Sequence, residues 1–324
     1  MSVIPMDYKV SVIISCYKNE NDIERAIQSC VNQTLQEIEI IVVNDGSPDN
    51  SQNIVDQMVK KYPEKVFSYV KENGGIASVR NFGMNHVHGE YFGFLDGDDY
   101  AEPEMFEKLY LRAKSENSEM TCGQLFFTFE SHEKPFYEAH YFDASSMIQD
   151  VYCVVWNKIY KTDWIRNLGV QFPLGCRFED VSFLYKIAPH LKKNSYVDEC
   201  FVHYVQREGS ITASHNDKVK QVVVVWNDLI DYYQNNQVYD KYRNELEYAM
   251  IKFMLGQPFR SACKIKDKED RKKTLGLLWE NLNEKFPDWR KNPILRSRKD
   301  AKHTYFKMVN KFSFKIFSFI FSML

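Results

Sequence analysis

Short apolar runs alternate with amphipathic segments along the first hundred residues of the chain. The runs are rich in β-branched or aromatic side chains, which is typical of strands buried inside a sheet. The segments between them place apolar residues at helical spacing. The pattern predicts strands at Lys9–Ser15, Ile38–Val43, Val66–Val70 and Tyr91–Leu95, and helices at Asn19–Val31, Ser51–Lys61 and Ile76–His86. This alternation indicates an α/β fold with parallel strands.

The pattern becomes mixed after about residue 103. A helix beginning at Pro103 is predicted to precede a strand at Thr121–Phe129, and a further apolar stretch covers Val151–Tyr160. Beyond about Asn216 the chain has helical periodicity and few glycines. We therefore expect an α/β domain over residues 1–215 with halves at 1–99 and 100–215, a helical region over 216–295, and a tail over 296–324.

Composition narrows the class of protein. The net charge of −2 over 324 residues gives no indication of a nucleic-acid partner. The seven cysteines are odd in number and form no CxxC pair, so we expect reduced thiols in a cytoplasmic protein. The amino terminus does not have the pattern of a signal peptide, and no uninterrupted apolar run reaches the roughly 18 residues of a spanning helix.

Polar residues follow three of the predicted strands. They lie in the segments Tyr17–Glu20, Asn44–Asp49 and Asp96–Asp99. In open α/β sheets, ligands bind outside the carboxyl ends of the strands, so these segments are expected to converge on one site.

Asp96-Gly97-Asp98-Asp99 is the strongest candidate for chemistry. Carboxylates at a strand end suit a hard cation such as Mg²⁺ or Mn²⁺, and the glycine permits a tight turn. A solvated acidic turn is the alternative, and the four residues alone do not decide between the two.

Two upstream motifs are compatible with a nucleotide ligand. Asp45 follows the second strand, where a carboxylate can accept a hydrogen bond from a base or ribose, although such a segment can also be a simple turn. Asn73-Gly74-Gly75 begins a helix whose N–H groups favour phosphate, and Arg80 lies one turn further on. Arg80 could instead form an ion pair with the acidic cluster.

Glu179 and Asp180 begin a predicted amphipathic helix. Acidic residues at a helix start stabilise free N–H groups and the helix dipole, and this structural role is the simpler interpretation. If the pair faces the same site as the acidic cluster, one carboxylate can act as a general base.

These motifs together resemble the inverting glycosyltransferases of family 2, which have the GT-A fold, a Rossmann-like mixed sheet flanked by helices. The resemblance extends over roughly residues 8–215. Its motifs are Val10–Glu20, Asn44–Ser47, Asn73–Gly75 with Arg80-Asn81, Phe94–Asp99, Trp156–Lys158 and Phe178–Asp180.

The resemblance implies a role for each matching position. It makes residues 1–99 the nucleotide-binding half and 100–215 the acceptor half. The donor would be a nucleotide sugar, most simply a UDP-sugar, with Tyr17 on the base, Asp45 reading uracil, and Ser15, Glu20, Arg80 and Gly97 nearby. Asp96 would approach the ribose or the metal, and Asp98 would bind the Mn²⁺ or Mg²⁺ on the diphosphate. Asp180 would be the base for the acceptor hydroxyl, with Glu179 orienting it.

The segment His203–Thr212 resembles the part of such enzymes that closes over the diphosphate. Arg207 and Ser210 would then contact the donor. His203 is a candidate third metal ligand, with a structural histidine as the alternative.

The tail combines lysines with a helical stripe of aromatic and aliphatic residues. This composition suits the surface of an anionic membrane. Packing on the rest of the chain, or on a second subunit of a homo-oligomer, is the alternative. Family-2 enzymes that build surface polymers such as capsule or teichoic acid often use lipid-linked acceptors at the inner membrane face, which favours a peripheral enzyme there.

Three classes of protein remain to be distinguished. The leading hypothesis is a hexosyl- or N-acetylhexosaminyltransferase that adds a single sugar to a glycan or lipid-linked acceptor. A sugar-nucleotide pyrophosphorylase would require a glycine-rich, lysine-containing loop, and none follows the first strand. A non-catalytic nucleotide-sugar or glycan-binding module is the third.

Overall fold

A computed structural model describes residues 7–207 and 217–323, which form two compact units. Within these residues the first unit comprises 7–144, 151–175 and 190–207, and the second comprises 145–150, 176–189 and 217–323. The segment 176–189 therefore groups with the helical part of the chain, although it lies between two segments of the first unit.

One sheet organises the first unit. Its strands within the described residues are β1 (Val10–Cys16), β2 (Ile38–Asn44), β3 (Val66–Val70), β4 (Tyr91–Asp96), β5 (Tyr100–Ala101), β6 (Met120–Thr128), β7 (Glu133–Phe136), β8 (Lys158–Lys161) and β9 (Asn194–Val205). The strand order is β3-β2-β1-β4-β8-β6-β9-β5, with β7 paired to β6.

Strands β1 to β4 pair with one another in parallel, as predicted. In their register Ser15 lies opposite both Val43 and Asp96, so the carboxyl ends of β1, β2 and β4 are level. Beyond β4 the sheet is mixed, because β8 is antiparallel to β4 and β6 whereas β9 is parallel to β6. The predicted mixed α/β fold is confirmed.

The helices of the first unit that precede residue 144 pack on this sheet or on one another. They are α1 (Ile23–Val31), α2 (Ser51–Lys61), α3 (Ile76–Met84) and α4 (Met105–Glu116). Helix α1 begins at Ile23 rather than at Asn19, because the N–H groups of Asp22 and Ile23 both bond the carbonyl of Asn19 in a preceding turn. That turn leaves Tyr17–Asp22 as a loop at the carboxyl end of β1.

The remaining helices are α5 (Ala144–Asp150), α6 (Thr162–Leu168), α7 (Glu179–Ile187), α8 (Gln221–Asn235), α9 (Tyr239–Leu255), α10 (Gln257–Cys263), α11 (Lys268–Lys285), α12 (Pro293–Ser297), α13 (Ala301–Met308) and α14 (Lys311–Met323). All except α6 lie wholly or mainly in the second unit, whose core includes the buried rings of Tyr185, Trp226 and Tyr233. The predicted helical carboxyl-terminal region is confirmed. Within residues 7–207 and 217–323, no helix has the length and apolarity needed to cross a bilayer.

Strand β9 is the main element that the hydrophobic pattern does not reveal. Its centre carries exposed acidic residues, Asp198 and Glu199, between two buried segments. The pairing with β6 also shifts register between Cys122 and Leu125. The strand therefore has no continuous alternation of apolar and polar residues, although it leads directly to Arg207.

A buried ion pair supports the middle of the sheet. The Nζ of Lys158 in β8 lies 3.3 Å from the carboxylate of Glu138 and donates to Asn157 Oδ1 at 2.6 Å. Both charged side chains are inaccessible to solvent. Burial raises the pKa of Glu138, and the ammonium group of Lys158 opposes that rise.

Removing one partner should be costly. Lys158→Met leaves the Glu138 carboxyl buried without its counter-charge, and we expect a loss of about 3–5 kcal/mol in the free energy of unfolding. Urea unfolding measures the change. Lys108→Met, which breaks solvent-exposed pairs with Glu104 and Glu199, is the control and should change little. Equal effects of the two substitutions would contradict a supporting role for the buried pair.

Candidate functional site

The carboxylate of Asp96 lies where β1 and β4 end side by side. Its Oδ1 accepts from Ser15 Oγ and from Arg80 Nη2, each at 3.2 Å. Arg80 is buried, with its guanidinium 5.9 Å from the Phe94 ring centre and 5.5 Å from that of Phe172. The alternative considered for Arg80, an ion pair with the acidic cluster, is therefore present.

We call residues Asp96–Asp99 the acidic turn. Gly97 allows this turn to approach the end of β1. A Cβ at this position would clash with the backbone carbonyl oxygen of Ser15 and would also contact the side chain of Asn19. Backbone cannot give way as a flexible side chain can, so a larger residue requires one strand end to move.

Asp98 has the most exposed carboxylate of the acidic turn, with 42% of its side chain accessible to solvent. Arg207 Nη2 lies 3.2 Å from Asp98 Oδ2, and Arg207 Nη1 lies 2.8 Å from Asp22 Oδ2. Arg25 donates to Asp22 Oδ1 at 2.9 Å and to the backbone carbonyl of Asp98 at 2.6 Å. Arg25 and Arg207 thus each connect Asp22 to Asp98 of the acidic turn.

Asp22 and Arg25 are absent from the residues predicted from sequence. The available signal was their spacing: they lie three residues apart at the start of α1, immediately after the Tyr17–Glu20 loop. A helix start at this loop brings both side chains to the strand ends. We name Asp22, Arg25, Asp98 and Arg207 the ion-pair cluster.

Asp99 points into the protein and is only 1% exposed. Its Oδ1 accepts from the backbone N–H of Val205 at 2.8 Å, and its own N–H donates to the carbonyl of Asp96. Burial, together with the nearby charge of Asp96, raises the pKa of Asp99 well above its usual value. The contact joins the acidic turn to the end of β9, two residues before Arg207.

The carboxylate of Asp45, which follows β2, lies against the glycine turn Asn73–Gly75 at the start of α3. This carboxylate accepts from the N–H groups of Gly74 and Gly75 at 2.9 and 2.8 Å, and Lys71 Nζ lies 2.6 Å from Oδ1. The N–H groups predicted to favour phosphate therefore bind a carboxylate of the protein itself. A carboxylate has about four acceptor positions, so three such contacts leave capacity for one more.

The loops after β1 and β2 are linked to each other. Glu20 accepts from the N–H of Asn50, and the N–H of Glu20 donates to Asp49. Burial disfavours the charge on Asp49, but hydrogen bonds from Ser47, Ser51 and the Glu20 N–H outweigh this effect and lower its pKa to about 2. Asp49 is therefore ionised at neutral pH, and Tyr17 stands 43% exposed on the linked loops.

His203 lies on β9 opposite Tyr100. Its Nε2 is 2.7 Å from Glu102 and its Nδ1 is 2.8 Å from Glu133, and its ring stacks on that of Tyr100 at 4.2 Å. Both ring nitrogens therefore already have carboxylate partners, as expected of a structural histidine.

Glu179 and Asp180 form the first turn of α7 in the second unit, and both are half-buried. Phe178 precedes them with a left-handed φ of 73°, a conformation that is costly for a side chain of this size. The N–H of Arg177 donates to Gln221, which fixes this helix start within the second unit. Ser210 lies outside the described residues.

Asp96 and Asp98 can supply some of the oxygen ligands of a hard cation, and the substrate and water would supply the others. Among residues 7–207 and 217–323, no three His, Cys, Asp or Glu side chains are arranged to hold a metal ion. Mg²⁺ is commonly bound by one or two carboxylates together with substrate phosphates and water. Asp96 and Asp98 fit that pattern.

Comparison with known proteins decides the family. Residues 11–169 match the family model of glycosyl transferase family 2. The chain belongs to this family. It is 32% identical over 234 residues to the cholesterol galactosyltransferase of Borreliella burgdorferi, an alignment covering 66% of this chain and 64% of that protein. The minor teichoic acid biosynthesis protein GgaB of Bacillus subtilis is 28% identical over 71% of this chain and 27% of its own length.

Solved structures share the fold of this family-2 chain. S. aureus TarS residues 1–349 in complex with UDP-GlcNAc matches with a TM-score of 0.57 and 18% identity, covering 87% of this chain and 92% of that one. The mannosyltransferase PcManGT of Pyrobaculum calidifontis, in complex with GDP-Man and Mn²⁺, matches with a TM-score of 0.56 and 13% identity, covering 98% and 87%. At these identities the similarity shows the GT-A-like fold alone.

Gly97→Ala tests whether the acidic turn depends on its glycine. The added methyl group would push against the Ser15 carbonyl, and we expect a loss of about 1–3 kcal/mol in stability, read as a lower thermal midpoint. Gly276→Ala in α11 is the matched control, because nothing lies near its Cβ position; its midpoint should stay the same or rise slightly. An unchanged midpoint in Gly97→Ala would show that the close approach is not constraining.

Proposed function

We propose that the chain is an inverting glycosyltransferase that moves one sugar from a nucleotide sugar, with UDP as the nucleotide, to an acceptor hydroxyl. Catalysis is assigned to residues 1–215, and the helical region 216–295 and the tail 296–324 have supporting roles. The observation that carries the proposal is the arrangement at the carboxyl ends of β1, β2 and β4. At this edge Asp96 is held by Ser15 and Arg80, Asp98 is exposed and Asp45 is buried. The residues matched by the family-2 model include all three.

The nucleotide is assigned to the linked loops after β1 and β2. Tyr17 offers an exposed ring for stacking on the base, and Asp45 has remaining acceptor capacity for a base N–H. Ser15, Glu20, Arg80 and Gly97 shape the site around the ribose and diphosphate. The UDP-GlcNAc complex of S. aureus TarS, which shares the fold, supports a nucleotide sugar as donor.

The divalent cation is assigned to Asp98 and Asp96. When bound, Mn²⁺ or Mg²⁺ would offset the negative charge that grows on the leaving diphosphate. The Mn²⁺ complex of PcManGT, which shares the fold, supports a divalent cation as cofactor. Arg207, which forms an ion pair with Asp98, is assigned to the diphosphate of the donor, and so is Ser210. His203 is not needed as a ligand, because it has two carboxylate partners.

Asp180 is the proposed general base. The acceptor hydroxyl must lose its proton as it attacks the anomeric carbon, and a carboxylate within hydrogen-bond reach can accept that proton. Attack opposite the leaving diphosphate inverts the anomeric centre. Glu179, its neighbour in the first turn of α7, is assigned an orienting role.

The acceptor is proposed to be a hydroxyl of a cell-surface glycan or a lipid-linked oligosaccharide. Similarity to a minor teichoic acid biosynthesis protein supports a cell-surface glycan as acceptor. Similarity to a cholesterol galactosyltransferase supports an acceptor hydroxyl carried by a lipid. An enzyme with such an acceptor would work in the cytoplasm at the inner face of the membrane.

The direct experiment is a screen of UDP- and GDP-sugars for hydrolysis or transfer by the purified chain, with Mn²⁺ and with EDTA. We expect nucleoside diphosphate release from one UDP-sugar with Mn²⁺ and little with EDTA. Tight nucleotide-sugar binding without turnover in the presence of acceptor extracts would indicate a binding module instead.

Asp180→Asn should separate catalysis from donor binding. Loss of the base should lower kcat by about 10²–10⁴-fold with little change in donor KM. Asp163→Asn is the matched control, since Asp163 also lies in the first turn of a helix, α6, and has no proposed role in transfer. Undiminished turnover by Asp180→Asn would exclude Asp180 as the base.

A further inference from the structure

The last helix, α14, has two apolar faces. Along the inner face, Phe314 is buried, and its ring centre lies 4.8 Å from those of both Phe259 and Trp279. Phe317 and Phe321 pack against Tyr305 on the same side. These contacts make α14 an integral part of the second unit.

The outer face remains exposed. It carries five large apolar side chains with exposed fractions between 42% and 75%: Phe312, Ile316, Phe319, Ile320 and Met323. Their spacing of i, i+4, i+7, i+8 and i+11 places them on one stripe of the helix. We call this set the outer stripe. Single exposed apolar residues are ordinary, but a continuous row of this size marks a surface that contacts something apolar.

The charges around the outer stripe have one sign. Lys311 and Lys315 are exposed and lie along one border of the stripe in the helical projection. The sequence contains no Asp or Glu after Asp300. Lysines beside an apolar stripe can extend their ammonium groups to anionic headgroups while their methylene chains lie along the apolar boundary.

We propose that the outer stripe enters the interfacial region of an anionic lipid bilayer, with α14 lying in the plane of the membrane. The helix is about 20 Å long at 1.5 Å per residue, which is too short to span but sufficient to lie on the surface. This inference rests on the proposed location of the enzyme at the inner face of the membrane, and it names the residues that contact the lipid. We favour lipid over a second copy of the chain because the charge of this region complements an anionic surface.

The inner face determines how the proposal can be tested. Deleting the tail would uncover Phe259 and Trp279, so lost membrane binding by a truncated chain would be confounded by damage to the second unit. Substitutions confined to the exposed outer stripe avoid this, because their side chains contribute little to packing. The informative variant is therefore Phe312→Ser with Phe319→Ser in the full chain.

The experiment is flotation with vesicles of 70% phosphatidylcholine and 30% phosphatidylglycerol, and with pure phosphatidylcholine vesicles. Wild type should bind the anionic vesicles, and the double variant should bind them more than about tenfold more weakly. Val224→Ser with Leu111→Ser, at exposed apolar positions on α8 and α4, is the matched control and should bind as wild type does. Lys311→Gln with Lys315→Gln should weaken anionic binding by roughly fivefold per lysine.

Circular dichroism melting curves should be the same for the wild type and the outer-stripe variant. Undiminished vesicle binding by that variant would overturn the proposal. So would a wild-type dimer that binds no vesicles and dissociates when the stripe is substituted. Because no step requires turnover, failure here leaves the transferase assignment standing, and an inactive chain that binds vesicles leaves this proposal standing.

Discussion

The register of β1 between β2 and β4 is the constraint on which the candidate site depends. Because the three strands are parallel and end level, Ser15 contacts Asp96, while Asp45 follows β2 on the same edge. Gly97 then turns the chain against the Ser15 carbonyl, where no larger residue fits. A shift of one residue in any of these strands would turn its side chains to the opposite face and separate the carboxylates.

Each acidic residue of the site has different hydrogen-bond partners and a different exposure to solvent, and these differences determine which of them can bind a ligand. Asp45 is held by backbone N–H groups and Lys71, and Asp96 is held by Ser15 and a buried Arg80. Asp99 faces inward and connects the turn to β9. Asp98 alone of the acidic turn presents an exposed carboxylate whose partner, Arg207, is itself at the surface. It is consequently the residue best suited to exchange partners when a ligand arrives.

The sequence predicted the first half of the sheet well because those strands are buried and apolar. Helix Ser51–Lys61 and strand Val66–Val70 have the predicted bounds. Strand β9 was not predicted because exposed acidic residues interrupt its apolar pattern. The ion-pair cluster was not predicted because Asp22 and Arg25 are common residue types at the start of a helix. The glycine turn was predicted to bind an anion, but which anion depends on the tertiary contact that brings Asp45 there, and local sequence does not encode that contact.

We propose that Asp98 binds the divalent cation together with a nucleoside diphosphate. Electron paramagnetic resonance of Mn²⁺ titrated into the protein with UDP tests it directly, with Asp98→Asn compared against Asp56→Asn, which lies on α2 away from the acidic turn. We predict UDP-dependent loss of the free Mn²⁺ signal for wild type and Asp56→Asn, and more than about tenfold weaker binding for Asp98→Asn. Equal Mn²⁺ binding by Asp98→Asn and wild type would show that Asp98 is not a ligand of the cation.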